Sequence, residues 1–440
     1  MKKIFYLVLL VCFLFTSIVW TAADSAILIK NATIVPVKGM SLQKGDLLIE
    51  DGRISKIDSN IQVPAGAKII DASGKYVYPG FVAVMTAVGV TGYPRAGDDT
   101  DEIGISTPHM DPYDAINPED ECIEVTRLGG VTTVHTVSGS RSVINGKSVV
   151  LHLAGDLAEG MVVKRYVAQI INIGAKEQNK YPSTQPGVVS YLRSKFDQAI
   201  EYAENQNKKV EKDKDKKEES EEKGKESILQ RNLEMEALVP VVTGKVPVIF
   251  ITSSEVTIRN ALELIKEYKL KGVIRASSGI LKYADRIAKE NIPIIWAGTS
   301  GIPNRWEPHD MNYHTAAVLA EKGILFTFDP GGYGLGNRNV RDIFMPAAIS
   351  VAHGLPEDKA LEALTINAAR ILGIEDEVGT LEVGKTANVV IWSGSPIQGR
   401  SRVETVIIKG KLIPMTSFQT RLYEKFKKIV SERKEKKKTE

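Results

Sequence analysis

Histidine is scarce in this chain, with 6 in 440 residues, none between positions 153 and 308, and no two arranged as His-x-His. Cysteine is scarcer still: there are 2, and Cys12 lies in an N-terminal apolar run. These shortages exclude a disulfide framework and a clustered Cys/His metal knot. Charge of either sign is also unremarkable, because 57 Lys and Arg nearly cancel 54 Asp and Glu to leave a formal net charge of +3. Such a balance offers no basic stripe for nucleic acid.

Lys2-Lys3 precede an apolar run from Ile4 to Trp20, followed by the small residues Thr21-Ala22-Ala23 and Ser25-Ala26. This is the layout of a secretory signal. The run has 17 residues and is interrupted by Thr16-Ser17, which is short for a membrane span. Residues 1–25 are therefore predicted to be a cleaved signal peptide, and the mature protein to be periplasmic or extracellular and free of the membrane. Retention of the segment as an anchor is the alternative. Val11 before Cys12 is not the small residue that a lipoprotein signal requires. The mature chain keeps only Cys122, so its core and not disulfides must hold it.

The chain from Ala26 to Val77 alternates apolar and polar residues in short runs, with Asp51-Gly52 between Asp46–Glu50 and Arg53–Ile57. Asp-Gly in that setting predicts a hairpin. Matching runs recur at Asn388–Trp392 and Val403–Gly410. The two ends, 26–78 and 386–415, are thus expected to build one composite β-sandwich domain. Between them, residues 79–385 read as repeated strand-then-helix units. Val246–Ile251 is followed by Ile258, Ala261, Leu262 and Ile265 at helical spacing, and Gly272–Arg275, Ile292–Trp296 and Ile324–Phe328 repeat the pattern. With Gly130–His135 and a strand near Phe81, the alternation predicts an α/β fold, specifically a (β/α)8 TIM-like barrel. A mixed-charge run at 207–227 and the charged tail at 416–440 read as solvated segments.

Several motifs narrow the reading. Asp71–Ala87 contains Pro79-Gly80-Phe81 before a short strand. Asp114–Asp120 (DAINPED), Gly129–Thr133 (GGVTT), Thr365–Gly373 (TINAARILG) and Gly379–Trp392 (GTLEVGKTANVVIW) follow in order. In order and spacing the chain resembles the amidohydrolase superfamily, in particular its imidazolonepropionase-related branch, over nearly the whole mature length. The resemblance implies hydrolysis of non-peptide C–N bonds in cyclic amides, amidines or short acyl-amino-acid compounds. It also implies a divalent metal that lowers the pKa of bound water, with an Asp moving the proton.

Carried onto this sequence, the family's metal ligands are largely missing. The His-x-His of the first strand falls on Met85 and Ala87, the fifth-strand His at about Ser253, the sixth-strand His at about Ala276, and the lysine of some relatives near His152. Asp329 is retained. A thioether and a methyl cannot replace two imidazoles on such a metal. The candidate site therefore comprises Asp329 as the catalytic position, with Arg275, Ser253 and His152 as substrate-binding residues and no metal ligand. Arg275 and Asp329 are expected to pair in the barrel mouth, the guanidinium standing where relatives keep metal charge. A relocated centre of His135, His152, His309 and Asp329 is the competing arrangement, against hydrogen-bonded core or rim histidines.

The expected protein is an exported, degenerate superfamily member that binds a small-molecule ligand or acts as a partner subunit, without a cofactor. It would be a homodimer or a heteromer with an active homologue. A working C–N hydrolase with a remodelled site, with zinc or a similar ion as cofactor if metal-dependent, is the alternative.

Overall fold

Asp51 and Gly52 adopt φ of 50° and 75°, the pair of left-handed conformations that a two-residue turn between twisted strands requires. They join the strands Leu42–Glu50 and Arg53–Asp58 in the computed structural model, which describes residues 26–91, 104–215, 231–299, 313–331 and 339–439. Strands from both ends of the chain hydrogen-bond into one eight-stranded network. Its order is Lys411–Ile413, Val403–Ile408, Val389–Trp392, Tyr76–Pro79, Ile27–Ile34, Leu42–Glu50 and Arg53–Asp58. The network forks along Ile27–Ile34: Ile27–Lys30 pair in parallel with Lys68–Asp71, while Thr33 and Ile34 pair with Tyr76 and Val77. Ile29, Ile34, Leu47, Val77, Val389 and Ile391 form its buried core.

Gly80 carries the chain out of this sheet. Its N–H donates to Asn388 O (2.9 Å), and the next N–H, of Phe81, donates to Gly130 O (3.0 Å). A Cβ at Gly80 would lie 2.1 Å from Thr132 Cγ2, so the crossover tolerates no side chain.

The central region contains two further sheets. One is wholly parallel: Gln169–Asn172, Val248–Thr252, Gly272–Ala276, Ile294–Trp296 and Phe326–Phe328. The other contains Phe81–Thr86 and Val131–Val137 in parallel, then Ser148–His152 and Val162–Arg165 in antiparallel pairing. The segment 143–148 ties the sheets together, with Asn145 N–H on Ile170 O and Asn172 N–H on Val143 O, each at 2.9 Å. The α/β alternation is as expected, but Ser148–His152 runs against its neighbours and the strands do not form one continuous ladder.

Side chains alternate along these strands. Phe81, Ala83, Val248, Phe250, Ile274 and Ile294 pack among helical residues such as Leu192, Phe196, Ile258, Leu262 and Leu319. Val82, Val84, Ile249, Ile251, Val273 and Ile295 face the opposite way into a second cluster, completed by Ala368, Ala369 and Leu372. This interior is packed and is not a pore. The helix Glu255–Glu267 shows why the pattern holds. Ser254 caps it reciprocally with Thr257, and Ile258, Ala261, Leu262 and Ile265 form its buried face.

Residues 1–25, His309 and much of the charged run lie outside the described residues. The start of that run continues the helix Gln185–Asp215, and the charged tail is the helix Phe418–Thr439. Among the described residues no helix is long and apolar enough to cross a membrane.

Candidate functional site

Arg275 follows Val273 by two residues on one strand, so the same alternation that buries Val273 turns Arg275 into the interior. Its Nε donates to Asp329 Oδ2, across the intervening strand Ile294–Trp296. The Asp329 side chain is fully buried and that of Arg275 is 18% exposed. The second carboxylate oxygen, Oδ1, accepts from Gly331 N–H at 2.6 Å. Both oxygens of Asp329 are therefore engaged within the protein. The two residues the sequence singled out as a pair do meet at the C-terminal ends of their strands.

At the same strand ends, Met85 and Ala87 are buried. Met85 has φ of 55°, a left-handed conformation uncommon outside glycine, and its N–H donates to His135 Nδ1 at 3.3 Å. That bond fixes Nδ1 as the acceptor and leaves the ring proton on Nε2, which is buried without a hydrogen-bond partner. Burial pushes the His135 pKa down to about 3, so the ring is neutral. Sequence reasoning treated His135 as one of several core histidines. Its inward register on Val131–Val137, opposite the Met85 strand, was the available signal.

The other candidates fall in different places. Ser253 is exposed at the end of Val248–Thr252, and its carbonyl accepts from Ser278 Oγ at 2.8 Å. Ala276 faces the helical layer, so the interior position at that level of the strand is Arg275. His152 is a correction. Its strand is antiparallel, with Ser148 opposite Val137 and His152 opposite Thr133, so it ends at the far end of the sheet from Asp329. There Asn388 Nδ2 donates to His152 Nδ1 at 3.0 Å. The apolar run Ser148–His152 carries no mark of strand direction, which is why the sequence misplaced it. His314 and His353 engage the carbonyls of His353 and Ile349.

A catalytic divalent metal does not fit this donor set. Ala87 and Ala276 offer no ligand atom, the thioether of Met85 is a poor one for a hard or borderline divalent ion, and Asp329 is engaged by Arg275 and Gly331. Among the described residues no three His, Cys, Asp or Glu side chains group to hold a metal ion.

Residues 154–413 match the profile of the Amidohydrolase family. The chain is 25% identical over 383 residues to the amidohydrolase tasK of Hapsidospora irregularis, covering 80% of this chain and 38% of that protein. It is 22% identical over 458 residues to a 5'-deoxyadenosine deaminase of Methanobrevibacter smithii, covering 94% and 99%. A solved amidohydrolase from Thermotoga maritima superposes with a TM-score of 0.79 at 29% identity, covering 88% of this chain and 99% of that one.

Proposed function

The chain belongs to the amidohydrolase family, and from that premise we propose that it is a metal-free member that binds a small-molecule ligand at the C-terminal strand ends. The observation that carries this reading is the double engagement of Asp329 by Arg275 and Gly331. A carboxylate held that way has its charge offset by the guanidinium and each oxygen occupied by a donor, which disfavours adding a cation there. Arg275 supplies positive charge where a metal would stand, and Ser253 offers a hydroxyl at the rim. Metal analysis of the purified protein, together with turnover assays on cyclic amides and acyl-amino acids, tests it. Stoichiometric divalent metal in a protein that hydrolyses one of these compounds overturns it.

We place the two central sheets as the halves of a (β/α)8 barrel, and the forked network as the composite β-sandwich domain. The backbone bonds through 143–148 support the first, and the split pairing of Ile27–Ile34 supports the second. The ordered motifs support membership of the imidazolonepropionase-related branch. The N-terminal layout supports export, which mass spectrometry of the mature N terminus tests. A homodimer or a heteromer with an active homologue is our assembly proposal, decided by light scattering and co-purification.

A second reading, a working C–N hydrolase with a remodelled site, draws on one observation. His135 is neutral and carries an unsatisfied Nε2–H at the same strand ends. Loss of a measured hydrolysis in His135→Gln, with folding retained, would favour it.

A further inference from the structure

At the opposite end of the central region, a cavity of about 960 Å³ opens between the N- and C-terminal sheet and the strands' other ends. Its lining includes His152, Arg127 and Lys409, none of which the site above uses. We propose that this cavity is a second binding site, for a small molecule bearing an oxyanion, either a carboxylate or a phosphate.

The polarity of His152 follows from its neighbours. Asn388 Oδ1 accepts the N–H of Lys409 at 3.0 Å, so the other end of that amide, Nδ2, is the donor that reaches His152 Nδ1. Nδ1 is thereby the acceptor, and the proton of the neutral ring is on Nε2. His152 as a residue is 6% exposed and lines the cavity, and its Nε2 has no protein partner among the described residues, so it is a lone N–H available there.

Arg127 adds charge. Its Nη1 donates to Leu153 O at 3.2 Å and its Nε is closed off from solvent. No carboxylate of the described residues forms an ion pair with it, and Glu124, which attracts it from farther away, is paired with Arg421, so Nη2 is the group left to meet an anion. A half-buried guanidinium left in this state is stabilised by an anion. Lys409 sits in the Lys409-Gly410 turn and spans the opening, its Nζ donating to Gly160 O at 2.9 Å. An ammonium has two further protons to offer.

The acidic residues of the lining do not cancel this. Glu377 is held by Arg53 at 3.3 Å and by Thr386 at 2.9 Å, while Asp51, Asp156 and Glu159 are exposed in water. His152 and Arg127 are thus the more buried members of the lining, and Asp51, Asp156 and Glu159 its exposed ones.

Calorimetric titration of the full chain with inorganic phosphate and, separately, with succinate tests the proposal and tells the two oxyanion classes apart. Saturable binding of at least one is expected, weakened roughly tenfold or more by Arg127→Gln and less by Arg127→Lys. Lys409→Gln, on an exposed turn, weakens the same binding and covers the case in which the Arg127 variant misfolds. In the unaltered protein, the ¹⁵N shift of His152 Nε2 moves on addition of the bound anion. No binding of either compound overturns the site, as does binding indifferent to both substitutions. Binding lost in Arg275→Gln but kept in Arg127→Gln would put the anion at the other end of the strands, which overturns this site and leaves the metal-free reading standing.

Discussion

Arg275 reaches over the strand Ile294–Trp296 to place its Nε on Asp329, so one ion pair ties together two strands that share no backbone ladder. The Asp329 side chain is fully buried. Removing the arginine leaves a buried carboxylate whose one remaining side-chain hydrogen bond among the described residues is from Gly331 N–H. Arg275→Met should therefore cost about 3–5 kcal/mol of stability. The double variant Arg275→Met/Asp329→Leu should cost less than the single one, because an apolar pair leaves no charge unpaired. Urea denaturation of the four proteins in a double-mutant cycle measures the coupling, and additive losses would show that the pair does not act as a unit.

The commitment of Asp329 also predicts how the protein responds to metal. A specifically bound ion stabilises a fold by an amount that grows with its concentration over its dissociation constant, about 2.7 kcal/mol at a hundredfold excess. Stripping the protein with a chelator and adding zinc back should leave its melting temperature unchanged. A rise of several degrees on zinc addition that disappears in Asp329→Asn would contradict the metal-free site.

Local patterns carried most of the fold. Asp51-Gly52 announced its hairpin because the turn chemistry is contained in two residues, and Ile258, Ala261, Leu262 and Ile265 announced their helix because burial follows the helical period. The pairing of Arg275 with Asp329 was legible for a similar reason, since strand alternation sets which way each points. Strand direction was not legible. Ser148–His152 is buried at every position, so its sequence reads the same in parallel and antiparallel pairing, and His152 was assigned to the wrong end of the molecule. The left-handed φ of Met85 was hidden too, because no glycine or asparagine marks it.

Two neutral histidines make stability depend on pH. Burial lowers the pKa of His135 to about 3 and that of His152 to about 4, from an ordinary value of 6.5. As pH falls below 6.5 the unfolded chain gains protons that the folded chain refuses, so stability declines toward acid. Each histidine should contribute a slope of about 1.4 kcal/mol per pH unit. The histidines dominate from pH 6.5 down to about 5.5, where the carboxylates of the unfolded chain are still ionised. Nearer 4.5 the lowered Glu377 and Glu382 add to the slope, and Asp120, raised by burial, opposes it. Denaturation at several pH values checks the slope. His135→Gln keeps an acceptor for Met85 N–H but cannot titrate, and should flatten it by roughly half.

Gly80 offers the sharpest steric test, since it is pinned on both sides. Its N–H bonds Asn388 in one sheet and the next N–H bonds Gly130 in the other, so the backbone has little room to retreat from an added methyl. That methyl would stand 2.1 Å from Thr132 Cγ2, 2.2 Å from its Oγ1 and 2.7 Å from its Cβ. Gly80→Ala should destabilise by about 1–3 kcal/mol through overpacking. Thr132 Oγ1 is buried without a hydrogen-bond partner, so Thr132→Ala removes a hydroxyl that contributes little while clearing the two nearest atoms. The double variant Gly80→Ala/Thr132→Ala should recover part of the loss, with Cβ still in the way. Thermal melts of both variants decide the matter: if Thr132→Ala gives no relief, the requirement for glycine lies in the backbone of the crossover and not in its contact with Thr132.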